Sequence, residues 1–209
     1  MQNIEEEQAT PRDLGMRILD IILGTRASER LTEAHEEEII RLIDLGADLE
    51  VRSNVSQSLS LATPLFYVSS KGSRRLLEYM IKKGAELEAR DRWSITSLAR
   101  AAYFGVTDNV KALTEAGADP NTVNKSMYTL QITVGANGMK FFDKELGIVV
   151  IDSVASARVL IEAGADPRTA FTSVDGFRNF FDGDIAWASE DCMMRLKRRE
   201  RSIKAFGRF

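Results

Sequence analysis

The stretch TSLARAAYFGVTDNVKALTEAGAD, residues 96–119, decides the fold because its landmarks recur along the chain at a constant spacing. It begins with a threonine, has a glycine nine residues later and ends with the triplet Gly-Ala-acidic. Threonines stand 33 residues apart at Thr63, Thr96 and Thr129, and the matching glycines are Gly72, Gly105 and Gly138. The triplet itself occurs four times, at residues 46–48, 84–86, 117–119 and 164–166. Two independent markers with one period predict a stacked array of helical repeats.

These residues resemble ankyrin repeats, whose unit opens with Thr-Pro-Leu-His, has Ala-Ala near the end of its first helix and closes with Gly-Ala-Asp. The best matches are Thr63-Pro64-Leu65 for the opening and Ala101-Ala102 for the small pair. The resemblance covers about residues 33–168. It implies an all-α ankyrin-repeat solenoid of about four to five repeats, divergent caps included. Such an array has an extended surface and no obligatory catalytic pocket, so binding is the expected function.

The predicted domain organisation is simple. Residues 1–9 are expected to form a disordered N-terminus, followed by one ankyrin-repeat domain at 10–209. Within that domain we expect an N-terminal cap pair at 10–48, central repeats at 49–168 and a divergent C-terminal cap at 169–209. The cap at the N-terminus begins with a Thr-Pro pair that is typical of a helix start.

The period is interrupted twice. The loop around residues 53–60 is five residues longer than its counterparts, and about fourteen residues are inserted at 139–152, between the two helices of one repeat. The insert is apolar, with Phe141, Phe142 and the run 148–151. Extra loops on repeat proteins often bind partners. The alternative, which we favour, is that these side chains fold back and patch a poor repeat.

Composition restricts the class of protein. The chain has 209 residues and a formal net charge of −3, which does not favour nucleic acid as a partner. A single cysteine, Cys192, cannot form an internal disulfide, which fits a reducing compartment. No apolar run approaches the roughly 18 residues of a membrane span, and the acidic start of the chain does not resemble a signal peptide. We therefore expect a cytoplasmic protein, with a monomer favoured.

Residues for catalysis are scarce. His35 is the only histidine, so a Ser-His-Asp triad and His-based metal sites lack their main component. Cys192 stands beside two methionines in a predicted helix, where a buried and inert thiol is the usual outcome. There is no Gly-rich phosphate-binding loop, and the spacing of the aspartates at 175–191 fits no calcium loop. The sequence predicts no enzyme, no cofactor and no metal.

The ankyrin resemblance implies that a partner binds to the loop tips and to the exposed end of each first helix. In register with Thr96 and Thr129, these candidate partner-binding residues are Arg92, Trp93, Ile95, Tyr103, Phe104, Lys125, Tyr128 and Asn137. Trp, Tyr and Arg are the residue types that contribute most energy at interfaces. The alternative is that Trp93 and Phe104 pack against neighbouring loops. The predicted function is non-catalytic protein recognition, as in scaffolds, inhibitors, immunity proteins or effectors.

One departure from the family concerns its histidine after Thr-Pro-Leu, which normally ties the loop turns together by hydrogen bonds. Here Phe66, Ala99 and Ile132 occupy that position. The loops must therefore be held together by other residues.

The C-terminal segment supports an alternative function. A helix is predicted at about residues 185–206, and from residue 195 onward the chain has seven basic residues against one acid. Such a helix could bind nucleic acid or an anionic membrane electrostatically. The simpler interpretation, which we favour, is a solvated face of the cap.

Overall fold

The computed structural model describes residues 9–25, 29–54, 60–124, 127–143 and 147–206. Within these residues there are ten α-helices, a short 3-10 helix (Pro167–Thr169) and two two-stranded antiparallel sheets. The α-helices are α1 (Pro11–Gly24), α2 (Glu33–Asp44), α3 (Pro64–Lys71), α4 (Arg74–Lys82), α5 (Ser97–Tyr103), α6 (Thr107–Glu115), α7 (Thr129–Ala136), α8 (Val154–Glu162), α9 (Val174–Phe180) and α10 (Glu190–Phe206). The strands are β1 (Val123–Asn124), β2 (Met127–Tyr128), β3 (Lys140–Asp143) and β4 (Gly147–Val150). The protein is mostly helical, as expected, but the two hairpins were absent from the all-α prediction.

The first eight helices form consecutive pairs that lie side by side in two layers. Helices α1, α3, α5 and α7 contact one another in chain order in one layer, and α2, α4, α6 and α8 do so in the other. Each odd-numbered helix also packs on the even-numbered helix that follows it. The hydrophobic core lies between these layers, because each pair buries its apolar faces only against its neighbours.

The recurrent Gly-Ala pair ends the second helix of each of these pairs. Its four glycines have φ between 92° and 101°, a left-handed conformation that disfavours residues with a Cβ. In each case the N–H of the following alanine donates to the carbonyl five residues earlier, at 2.8–3.2 Å. This is the hydrogen bond of a Schellman helix end. The repeated triplet therefore marks four equivalent helix ends.

Small residues allow close packing around α5. Ala101 and Ala102 are completely buried, and Gly105 ends the helix with φ of 69°. A Cβ on Gly105 would lie 2.0 Å from the carbonyl oxygen of Asp152, which precedes α8. Glycine is therefore favoured at position 105 for two reasons: its φ is positive, and the backbone of Asp152 approaches it closely.

Side chains tie together the loops that connect one pair to the next. The Arg52 guanidinium donates to the carbonyl of Arg90 at 2.6 Å, and the Arg90 guanidinium donates to the carbonyl of Val123 at 2.8 Å. The N–H of Thr96 donates to Oδ1 of Asn124 at 3.1 Å. These bonds connect successive loops along the array. The lengthened loop at 53–60 lies largely outside the described residues.

The insert predicted at residues 139–152 forms the hairpin β3–β4 between α7 and α8. Backbone hydrogen bonds close its base, from Gly138 to the carbonyl of Ile151 at 2.8 Å and from Ile151 to that of Met139 at 2.9 Å. Ile151 is buried, whereas Val150 is half exposed. The side chains of residues 141–149, which the alternatives of a binding loop and an apolar patch concern, lie outside the described residues.

The C-terminal cap differs from its prediction. The helix expected from about residue 185 begins at Glu190, because residues 185–188 form a separate turn closed by the N–H of Ala188, which donates to the carbonyl of Ile185 at 3.0 Å. A separate helix, α9, comes before that turn. An aromatic cluster fills the space between them, formed by Phe171, Phe177, Phe180, Phe181 and Trp187.

Candidate functional site

An apolar groove of about 620 Å³ opens beside α5, between the loop that precedes this helix and the start of β2. Its walls come from the first helices of three consecutive pairs and from the loops between pairs. The lining residues are Ser60, Phe66, Asp91, Trp93, Ile95, Ala99, Arg100, Tyr103, Phe104, Asn124, Met127 and Ile132. A mostly apolar cavity of this size with a few polar groups is the usual form of a binding site.

The floor of the groove follows the 33-residue period. Phe66, Ala99 and Ile132 are 33 residues apart and occupy equivalent places on α3, α5 and α7. They are the positions at which the ankyrin pattern has histidine. The sequence analysis treated them as a loss of loop contacts and did not place them in a site. Their regular spacing and apolar character were the signal that they share one surface.

The loop before α5 positions Trp93. Oδ1 of the buried Asp91 accepts hydrogen bonds from the N–H groups of Trp93 and Ile95, both at 2.8 Å. Ser94 adopts a positive φ of 62°, which completes the tight turn without the glycine that this conformation favours. The turn is further attached to the preceding loop, because the N–H of Arg92 donates to the carbonyl of Ser60 at 2.9 Å. The indole is therefore presented on a braced loop.

Two aromatic residues form the opposite wall. Tyr103 and Phe104 lie at the end of α5 with their rings edge to face, 5.0 Å between centroids. Phe104 and Trp93 are each 37% exposed, a high value for such large side chains. The Tyr103 hydroxyl lies 3.8 Å from the sulfur of Met139, at the base of the inserted hairpin. The wall thus connects the groove with the insert.

Arg100 contributes the positive charge of the groove. Its guanidinium lies over the rings of Phe66, Phe104 and Tyr67, at 4.7, 5.1 and 5.5 Å from the centroids. Nε donates to Oγ of Ser70 at 2.7 Å. Burial lowers the pKa of Arg100 from its ordinary value, opposed by the charges of Tyr67 and Asp91. Sequence analysis missed this residue, because a single arginine in a helix has no distinctive pattern.

The structure brings only some of the predicted residues together. Trp93, Ile95, Tyr103 and Phe104 all line the groove. Arg92 lies outside the lining and stacks on the Trp93 ring at 5.3 Å. Lys125 is outside the described residues.

Two other predicted residues face elsewhere. Asn137 is placed by a structural contact, since its Oδ1 accepts a hydrogen bond from the N–H of Ser153 at 3.1 Å. Tyr128 lines a different cavity, of about 520 Å³, beside the C-terminal helix. These residues are not in the lining of the groove: Asn137 contacts the segment before α8, and Tyr128 lies beside α10. Such long-range contacts are not encoded in the repeat.

The second cavity is polar and basic. Besides Tyr128 it is lined by Gln131, Arg168, Thr169, Arg198, Arg199 and Ser202. Arg168 is paired with Asp166 at 2.6 Å. Arg198 and Arg199 project from α10, so docking of this helix brings its basic face beside α7. We call this cavity the basic cleft.

His35 and Cys192, the only histidine and the only cysteine of the sequence, have structural surroundings. His35 completes the N-terminal cap of α2, with its Nδ1 accepting from the N–H of Thr32 at 3.3 Å. Cys192 is buried, and burial raises the pKa of its thiol to about 11. In the described part of the chain, no group of three or more His, Cys, Asp or Glu side chains is arranged to hold a metal ion. None of the helices formed by the described residues has the length and apolar character needed to cross a bilayer.

Comparison with protein families gives no assignment: no family model matches the chain.

Proposed function

We propose that the protein is a non-catalytic recognition module of the ankyrin-repeat type, which binds a protein partner in the groove beside α5. The proposal of an ankyrin-type array is supported by the stacking of four helix pairs with equivalent Gly-Ala ends. In such arrays the loops and first helices form the concave side, and the groove lies on these elements. The partner would be held without covalent chemistry, as expected of a scaffold, inhibitor, immunity or effector protein.

The observation that carries the proposal is the exposure of large aromatic side chains around one apolar cavity. Trp93 and Phe104 are each more than a third exposed, and Tyr103 packs against Phe104. Leaving this apolar area in water is unfavourable by about 25 cal/mol for each Å². A partner that covers the groove recovers this free energy. Aromatic side chains at the centre of an interface typically contribute the largest share of binding energy.

The test is affinity capture with a matched pair of variants. The first carries Trp93→Ala, Tyr103→Ala and Phe104→Ala, and the control carries Leu45→Ala and Met194→Ala, two exposed apolar residues outside the groove. A protein captured by the unaltered chain is then purified, and its dissociation constant is measured for all three baits. We expect the groove variant to bind at least about 100-fold more weakly and the control to bind normally.

Thermal melts followed by circular dichroism establish that each bait remains folded. Equal affinity of a folded groove variant and the unaltered protein would reject the groove as the binding site. Comparable loss of affinity in the control variant would mean that binding depends on general apolar surface instead.

A second candidate function, electrostatic binding of nucleic acid or anionic membrane, is favoured by the pattern of ion pairs on α10. Arg195 pairs with Asp191 and Lys204 with Glu200. By contrast, Lys197, Arg198, Arg199 and Arg201 form no ion pair with any described residue.

This second candidate predicts a steep dependence on salt. Binding to an oligonucleotide or to anionic vesicles should weaken by about a hundredfold or more between roughly 50 and 200 mM salt. It should also be lost in the double variant Arg198→Ala, Arg199→Ala. Weak salt dependence together with loss of binding in the aromatic variant would favour the groove.

A further inference from the structure

The positive charge of Arg100 has no carboxylate partner in the described part of the chain. Its guanidinium has five N–H groups, and among the described residues their only acceptor is Oγ of Ser70, which is bound to Nε. The four N–H groups on the Nη atoms have no acceptor in that part of the chain. The Nη atoms of Arg100 are not fully buried. They therefore retain accessible surface, and Arg100 lines the groove.

The environment of Arg100 favours pairing with a bound anion. Aromatic rings cover the guanidinium on several sides, which keeps water away and fixes its orientation. A charge in such a setting interacts more strongly with an opposite charge than it would in water. A second cation, Lys71, is close enough to Arg100 to lower its own pKa further. The groove side of Arg100 thus carries a positive charge that a second, buried cation nearby reinforces.

Asp91 is the acidic residue of the groove, and it neutralises Arg100 only in part. It is close enough to favour the charged form of Arg100, but the two residues form no ion pair. Its Oδ1 is already held by two backbone N–H groups of the loop. Asp91 therefore stabilises the loop of Trp93, and the Nη groups of Arg100 stay available to a ligand.

We propose that the groove binds a partner segment in which a carboxylate lies next to a large apolar side chain. The carboxylate pairs with the Nη groups of Arg100, and the apolar side chain lies among Trp93, Ile95 and Ile132. The proposal rests on the proposed function and specifies the chemistry of its partner. Planar guanidinium groups bind carboxylates through two parallel hydrogen bonds, which gives this site its selectivity. An acidic side chain and a chain terminus both supply a carboxylate of this kind.

Short peptides distinguish these sources. The probes are acetyl-Leu-Glu-Leu-amide with its Gln counterpart, and acetyl-Leu-Leu with a free carboxylate and with a terminal amide. Binding is followed by NMR titration, with the Nε–H resonance of Arg100 as a local reporter. We expect at least one carboxylate peptide to bind about tenfold more tightly than its neutral counterpart, the value of one charge-assisted contact. Preference for the Glu peptide indicates an acidic side chain, and preference for the free carboxylate indicates a terminus.

Two variants assign the preference to Arg100. In Arg100→Met, whose side chain is still able to lie between the rings, the charged and neutral peptides should bind equally. Arg100→Lys should retain part of the preference, because it keeps the charge without the planar geometry. If Arg100→Met does not fold, a shift of the Nε–H resonance with the charged peptides alone supports the pairing in the unaltered protein.

The proposal is overturned if charged and neutral peptides bind the unaltered protein equally, or if none binds at millimolar concentration. The proposed function would survive either result, since it depends on the loss of partner affinity in the aromatic variant. Conversely, a carboxylate preference that persists in Arg100→Met would place the anion site at another residue.

Discussion

Replacing Lys71 with methionine tests how a buried ammonium group at the junction of the first two helix pairs changes the free energy of unfolding with pH. Lys71 is the last residue of α3 and only 6% exposed. Its ammonium group donates to the carbonyls of Ile22 and Thr25 at 3.2 and 2.9 Å, and to the Thr25 hydroxyl at 3.0 Å. Burial lowers the pKa of Lys71 to about 8, assisted by the charge of Arg100 and opposed by that of Glu29.

The sign of the pH effect follows from this lowered pKa. In the unfolded chain Lys71 binds its proton up to the ordinary pKa of 10.5, whereas in the folded protein it does so only up to about 8. Between these values the unfolded state binds more protons, so the free energy of unfolding rises with pH. The full difference corresponds to about 3 kcal/mol. Below about pH 8 both states are protonated, and the contribution no longer changes with pH.

The assay is urea unfolding at several values between about pH 7.5 and pH 10.5. We expect the unaltered protein to gain up to about 3 kcal/mol over this range relative to Lys71→Met. The variant loses the hydrogen bonds to α1 at every pH, which shifts its stability by a constant amount. Lys82→Met, at an exposed position, is the matched control and should parallel the unaltered protein. A constant difference between the unaltered protein and Lys71→Met across the range would refute the reasoning.

Three further predictions concern stability and reactivity. Gly105→Ala should lower the free energy of unfolding by about 3 kcal/mol or more, because the position has a positive φ and a Cβ there would overlap the backbone. Gly135→Ala, in open helical surroundings, should instead raise the free energy of unfolding by about 0.5–1 kcal/mol. Urea unfolding measures both changes. Glu36→Ala should cost about 2–3 kcal/mol in the same assay, because the buried carboxylate accepts from the N–H and hydroxyl of Ser73, both at 2.6 Å. Cys192 should react with a thiol reagent at about pH 8 only after unfolding, since burial raises its pKa to about 11; rapid reaction of the native protein would contradict this.

The local features of the fold could be predicted from sequence, because they depend on residues close together in the chain. Helix α1 begins at Pro11 after a Thr10 cap, as expected, and the Gly-Ala pairs end the second helices. The spacing also predicted an insert at about residues 139–152, and the strands β3 and β4 lie within these residues. Its strands were not predicted, because a short apolar run is compatible with either a strand or a packed loop.

The candidate site was predictable only where the repeat itself positions its residues. Trp93, Tyr103 and Phe104 are local to one repeat, and register was sufficient to bring them to one groove. Tyr128 and Asn137 have the equivalent register, yet their surroundings are set by α10 and α8. Contacts of that kind depend on how distant segments dock, and neither composition nor periodicity reports them.

The replacement of the expected histidines links the fold with the site. Phe66, Ala99 and Ile132 stand where the resemblance predicts histidines, and they form an apolar floor. The loop contacts are carried by the arginines at 52 and 90 and by Asn124, which reach along the loops to the next pair. The loops therefore remain connected although the floor offers no side-chain hydrogen-bonding groups. Because the contacts between loops come from residues outside the floor, the array presents an apolar groove whose rim is held in place.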